Sequence, residues 1–270
     1  MTRATYMKLI GLMLILTVVQ SVIMLIPDWN GMQGSAEADE IDLLLDVMIV
    51  LSSFVFSIVV VMLGYCIYKY RAKPGDESDG KPIHGNTRLE IAWTVIPTVI
   101  VLFAAAYSWI ILDDIEAEAS EQMEVNVTAQ QFKWTFEYPE TGVVSDEFHV
   151  PSGKQLELHL SALEVLHSFW VPEWRIKRDL VPIADGNPTD VDNVVRVTPD
   201  VEGEYTLICT ELCGWGHPTM QAKVVVESQE EFDTWMQEQE AEQAEQGTTS
   251  GEAAADESAS GTEDESEVEG

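Results

Sequence analysis

Residues 47–68 and 91–112 contain no charged side chain at all. Each run holds 22 residues, which as a helix rising about 1.5 Å per residue is long enough to cross a hydrocarbon core of about 30 Å. The chain is therefore expected to carry a membrane hairpin within residues 37–114, with helices over about 45–68 and 91–112. An earlier run, 9–26, is apolar apart from Thr17, Gln20 and Ser21, and follows Arg3 and Lys8. Residues 1–36 read either as a signal peptide, with Gly34, Ser35 and Ala36 as a small-residue cleavage zone, or as a first membrane helix.

Charge sets the orientation. The segment 69–90 between the two long runs contains Lys69, Arg71, Lys73, Lys81 and Arg88, and basic residues mark the cytoplasmic side of a membrane. Asp113 and Asp114 follow the next run. Everything after residue 115 is thus expected outside the cytoplasm, on a multi-pass protein of the cell membrane.

Past the hairpin the hydrophobic period changes from helical to two. Glu124 to Ala129, Gln155 to Leu160 and Asn193 to Val197 alternate, the pattern of half-buried strands. Turn signals separate them at residues 139–142, 151–153, 182–188 and 199–203. Two more strands, 205–209 and 222–226, flank a loop. Short strands at this spacing suggest a sandwich or barrel. Residues 115–228 are read as this β domain.

The flanked loop carries the chemistry. Cys209, Glu211, Cys213, His217 and Met220 fall within twelve residues. Thiolate and thioether sulfur with imidazole suit copper better than any hard cation. One cysteine would suggest a mononuclear site, whereas two, four positions apart, can place both thiolates between two ions. A second imidazole must come from elsewhere, and His167, followed by Ser168, Phe169, Trp170, Val171 and Pro172, is the obvious donor. A disulfide on the oxidising side of the membrane and a Cys2His2 zinc site use the same residue types. Neither gives Met220 a role. Cys66 lies inside an apolar run and reads as a small hydrophobe.

The pattern Cys-x-Glu-x-Cys-x3-His-x2-Met, preceded by His-Ser-Phe-Trp-Val-Pro, resembles the copper A segments of cytochrome c oxidase subunit II. The likeness extends over about residues 42–223, membrane runs included. It implies a membrane-anchored all-β protein: two N-terminal transmembrane helices, or three if the first run is retained, then a cupredoxin-like Greek-key β-barrel. The resemblance further implies two copper ions held by His167, Cys209, Cys213, His217, Met220 and the backbone carbonyl of Glu211. The Glu211 side chain would then face a magnesium or manganese ion at the boundary with oxidase subunit I, a role suited to a hard carboxylate. The implied function is electron entry: an extracytoplasmic carrier, cytochrome c or a blue-copper protein, delivers electrons to copper, which pass to haem in subunit I for reduction of oxygen to water. No group in this chain is expected to make or break substrate bonds.

Two more positions follow from the same resemblance. Gln131-Phe132-Lys133-Trp134 is similar to an aromatic patch whose first ring admits the electron. Phe132 stands there in place of the family's tryptophan, and Trp134, or another exposed aromatic near the copper, is the alternative entry point. Glu90, in Arg88-Leu-Glu90-Ile-Ala-Trp93, matches a carboxylate at the mouth of a proton pathway in subunit I. A glutamate at a helix N-terminus is also ordinary, because negative charge is favourable there. Two other readings have weaker support: a quinol-oxidase subunit, whose relatives lack the copper ligands, and a free-standing membrane cupredoxin.

The net charge of −33 is unevenly placed. From Glu227 onward there are 16 acidic residues and no Lys or Arg. Rich also in Gln, Ser, Gly and Ala, residues 229–270 are expected to form a disordered acidic tail, after a final helix over 228 to about 240. The remaining acidity suits a high-salt medium, as in a halophilic organism. It excludes nucleic acid as a partner, since binding there needs a positive surface. The lipid bilayer is the other expected partner.

Overall fold

The computed structural model describes residues 2–27, 29–72, 74–76, 79–80, 82, 84–182 and 193–260, with side chains to 245. Lys73, Lys81, most of the expected turn at 182–188 and the last ten residues of the tail lie outside the described residues. The chain divides into two units, Met1–Met32 with Ala38–Ala117, and Gln33–Glu37 with Glu118–Gly270.

The first unit holds three helices: α1 (Arg3–Leu25), α2 (Ala38–Tyr70) and α3 (Thr87–Ile115), each long and apolar enough to span a membrane. α2 has 33 residues, more than the 45–68 expected, because Asp39 and Glu40 place favourable charge in its first turn. α1 packs along α2. Ser57, fully buried, donates from its hydroxyl to the Gln20 side chain at 3.2 Å and to the Ser53 carbonyl at 2.7 Å. Small Ser53 and Ser57 allow the close approach, and the polar pair finds its partner inside the helix pair.

Glu90 closes the N-terminus of α3. Asn86 caps it by accepting from the Leu89 N–H at 3.2 Å, while the Glu90 carboxylate accepts from the Asn86 N–H at 3.0 Å. This reciprocal capping satisfies amides the helix leaves unpaired.

The second unit is a sandwich of two five-stranded sheets, one of the two arrangements the strand spacing allowed. β1 (Gln122–Gln130), β2 (Lys133–Tyr138), β3 (Val143–Ser145), β5 (Gln155–Ala162) and β8 (Val194–Val197) form one, in the order β3-β2-β1-β5-β8. β4 (Phe148–Pro151), β6 (His167–Val171), β7 (Ile176–Leu180), β9 (Gly203–Cys209) and β10 (Gln221–Glu227) form the other, in the order β4-β10-β9-β6-β7. Alternation places Val125, Val127 and Ala129 of β1 in the core with Leu156, Leu158 and Leu160 of β5. Phe136 stacks on Phe148 at 4.6 Å between centroids, joining the sheets.

The segment Gln33–Glu37 is woven into this sandwich. Gly34 N–H donates to Glu173 O at 2.8 Å, Ala36 N–H to Thr198 O at 2.9 Å, and the Glu37 carboxylate accepts from Thr198 N–H at 3.0 Å. The three residues expected as a cleavage zone are thus an edge of the β domain.

A last helix, α4 (Gln229–Ser260), begins where the final helix over 228 to about 240 was expected. It begins in a capping box: Ser228 Oγ accepts from Glu231 N–H, and the Glu231 carboxylate accepts from Ser228 N–H. The Ser228 hydroxyl, donating to the same carboxylate at 2.7 Å, and then the Ser228 N–H hold the Glu231 carboxyl below the usual range. Phe232 and Met236, four apart, are buried against the sandwich, and Trp235 stacks on His149 at 4.1 Å. Composition alone predicts a solvated tail, but three apolar residues on one helical face are enough to dock its first turns.

Candidate metal centre

The β9–β10 hairpin builds the site. Its strands pair as far as Ile208 and Gln221, and Cys209 N–H donates to Met220 O at 3.1 Å, closing the neck of the loop between them. Within that loop the chain turns at Gly214 and again through a short 3-10 turn, His217–Thr219, started by Pro218. His167 arrives from the neighbouring strand. β6 pairs with β9 at Phe169 and Cys209, so His167, two residues earlier, projects to the same face.

The sulfur and nitrogen atoms meet in a chain. His167 Nδ1 lies 3.7 Å from Cys209 Sγ, which lies 3.9 Å from Cys213 Sγ, which lies 3.7 Å from His217 Nδ1. On the flanks, Glu211 O is 3.3 Å from Cys209 Sγ, and Met220 Sδ is 3.7 Å from Cys213 Sγ. Both thiols are free, and Cys209, Cys213 and Met220 are buried with His167. Every ligand position expected from the sequence is therefore brought together.

Burial sets the protonation of these groups. It lowers the pKa of His167, opposed by the nearby Glu164 charge, so the imidazole favours its neutral, ligating form. Burial, with the Cys209 sulfur beside it, pushes the Cys213 thiol up to about 11. A thiol so placed gives up its proton when a cation replaces it. His167 Nε2 is buried with no hydrogen-bond partner among the described residues. The donor set of two thiols, two imidazoles and a thioether fits copper.

The aromatic positions separate. Trp134 is 1% exposed, wedged edge-on against His167 and Phe169 at 6.4 and 6.2 Å. It supports the imidazole from inside the sandwich and does not itself reach the surface. Phe132 is partly buried beneath the ligand loop. The Gln131 side-chain amide donates to Cys213 O, so the Gln131-Phe132 turn props the loop from below. Trp215, which sequence reasoning passed over, is 90% exposed on that loop and meets Phe132 edge-on at 5.1 Å. The available signal was its position in Gly214-Trp215-Gly216, where small neighbours leave one large ring unsupported by its own strand.

Comparison with known proteins bears on the same residues. A family model described as cytochrome c oxidase subunit II, transmembrane domain, matches residues 27–111, and one described as its periplasmic domain matches 143–229. The chain is similar to cytochrome c oxidase subunit 2 of Thermostichus vulcanus, 31% identical over 281 residues covering 82% of this chain and 83% of that one. It is similar to the same subunit of Synechocystis, 30% identical over 250 residues, covering 75% and 73%. Quinol oxidase subunit 2 of Bacillus cereus is 26% identical over 201 residues, covering 70% and 65%.

Proposed function

The chain belongs to the cytochrome c oxidase subunit II family, and from that premise we propose that its β domain is the electron-entry module of a haem–copper oxidase, holding two copper ions. One observation carries the binuclear reading. His167, Cys209 and Cys213 present ligand atoms within 4.8 Å of one another, whereas His217 falls outside that group. Ligand atoms on one ion lie no more than about 4.6 Å apart, twice a metal–sulfur bond. The four strong donors therefore do not converge on a single point. They form two pairs, each an imidazole beside a thiol, sharing the sulfurs in the middle.

In this reading Cys209, Cys213, His167 and His217 would hold the two coppers, with Met220 and the Glu211 carbonyl as weaker ligands. Bound copper supplies one-electron redox chemistry. The chain supplies rigidity: the paired strands fix Cys209 and Met220, and Trp134 fixes the His167 ring. Burial keeps water from the sulfurs, so little has to reorganise when charge changes.

The remaining assignments follow the family. The Glu211 side chain would help hold a magnesium or manganese ion beside subunit I, whose haem would receive the electron. The donor is cytochrome c or a blue-copper protein. Glu90 stands near a proton entrance, although its carboxylate is occupied with the α3 cap. The basic residues of segment 69–90 support a copper domain outside the cytoplasm. The Gln20–Ser57 contact supports α1 as a retained third span. The acidic surface supports a high-salt habitat.

Copper content and electron paramagnetic resonance of the full chain in detergent test this. Two coppers per chain, with the unpaired electron split by both nuclei, are expected. One copper with a simple blue-type spectrum would replace the reading with a mononuclear carrier.

A further inference from the structure

We infer that Trp215 is the residue through which this chain receives its electron, the ring against which the one-electron carrier docks. The inference rests on the electron-entry reading above and adds to it the point of contact.

The first observation is exposure beside the centre. Trp215 is separated by one residue from each of two candidate ligands, Cys213 and His217, and its side chain is 90% exposed. An indole so placed keeps most of its apolar surface in water. Tryptophan is the residue type most enriched among the energetic anchors of interfaces, because burying its large ring on a partner removes much apolar surface from water. Leu212, on the same loop, is also exposed. Large apolar side chains on a loop that also holds buried metal ligands mark a surface made to be covered.

The second observation is that the loop cannot swing freely. A β-carbon at Gly216 would lie 2.5 Å from the Phe132 ring, and one at Gly214 3.1 Å from it. The backbone on both sides of Trp215 therefore lies flat on Phe132, and the indole meets that ring edge-on at 5.1 Å. Below, Gln131 holds the Cys213 carbonyl. The exposed ring is thus seated on the same support that positions Cys213.

The third observation removes the competitor. Trp134 is buried behind His167, and Phe132 lies under the loop, so neither presents its face to a carrier. Trp215 is the aromatic of the ligand loop that does. One electron leaves the carrier and one arrives at the metal centre. No bond forms and no proton moves. The ring's contribution is contact and short distance, which a smaller side chain does not supply.

The test uses the assembled oxidase carrying Trp215→Ala, Trp215→Phe or no change. A reduced soluble c-type cytochrome and a reduced blue-copper protein are the probe donors. Electron entry is followed by stopped flow, and the Kd of the oxidised donors by titration. Trp215→Ala is expected to lower the second-order rate with the accepted donor about tenfold and weaken its Kd by a similar factor. Trp215→Phe should recover part of both. The copper resonance spectrum, the haem content and reduction by a small ruthenium amine should not change. An unaltered donor rate and Kd in Trp215→Ala would overturn the inference. So would loss of haem from the purified complex, because the ring would then belong to the contact with subunit I. If unaltered protein with its copper in place accepts electrons from neither donor, the electron-entry reading itself fails, and this inference with it.

Discussion

Phe132 occupies the space that any side chain at position 216 would need, its ring lying 2.5 Å from where a β-carbon on Gly216 would stand. The contact ties the turn after β1 to the loop that carries Cys213 and His217. It explains a glycine at 216 by close approach, with no appeal to unusual backbone angles.

Gly216→Ala should therefore strain the metal-free chain by about 1–3 kcal/mol, the usual cost of overpacking. Chemical denaturation of the β domain's near-ultraviolet signal would read it. Adding Phe132→Leu should return most of the loss. A Gly216→Ala protein as stable as the parent would show that the loop does not rest on the ring.

Removing Cys213 and removing Met220 should differ in kind. Cys213→Ser takes away a shared donor, so copper content should fall from two to one or fewer, with loss of the two-nucleus splitting. Met220→Leu removes a weak ligand while filling its buried space, so both ions should stay and the midpoint potential should shift. Metal analysis and redox titration distinguish the outcomes.

Copper loading should release protons. Since the Cys213 thiol is held up to about 11, it is protonated at neutral pH, and the metal must displace that proton. Apparent affinity should rise with pH below 11, by about tenfold per unit for each thiol that ionises on binding. Competition against a chelator at pH 6, 7 and 8 checks this. A flat profile would mean the thiols are already ionised.

Docking of α4 is expected to matter near its start and not beyond residue 245. Phe232→Ala opens a hole against the sandwich and should cost about 3–5 kcal/mol. A chain ending after 245 should stay within about 0.5 kcal/mol of the parent, as surface changes do. Equal loss from both changes would mean the distal helix also bears on the fold.

Tyr138 should make the β domain sensitive to alkali. Burial raises its pKa above the ordinary 10.0, and its hydroxyl donates to His149 O at 2.8 Å. The folded protein then keeps a proton that the unfolded chain releases. Stability from this group is complete below pH about 10 and falls as pH rises above it. Tyr138→Phe should remove that fall, at a pH-independent cost of about 1–3 kcal/mol for leaving His149 backbone groups unpaired. An alkaline limb of the same steepness in both proteins would assign the sensitivity elsewhere.

Legibility varied with the range of the forces involved. The three apolar helices and the alternating β1, β5, β8, β9 and β10 could be read directly, since each is a periodic pattern within one segment. β3 and β4, with three and four residues, carry too little pattern to see. The start of α4 was legible near Ser228, while its docking through Phe232, Trp235 and Met236 depends on the sandwich surface that folding builds. The clustering of Cys209, Cys213, His217 and Met220 was legible because they share one loop. His167 was legible as the second imidazole the loop needed, and β6–β9 pairing gives the geometric reason for it.

By itself, the sequence determined which segments must leave water and which atoms can bind a soft metal, because hydrophobic period and ligand chemistry are properties of the residues themselves. Only the tertiary structure decided which aromatic ring meets the solvent. Trp134 and Trp215 are the same residue type, each within four positions of a support or ligand of the centre. One is sealed behind His167 and the other stands exposed, because burial depends on which strands pair and which loop lies over which ring. The same pairing spaces the two sulfurs 3.9 Å apart with an imidazole beside each, an arrangement that no linear spacing contains.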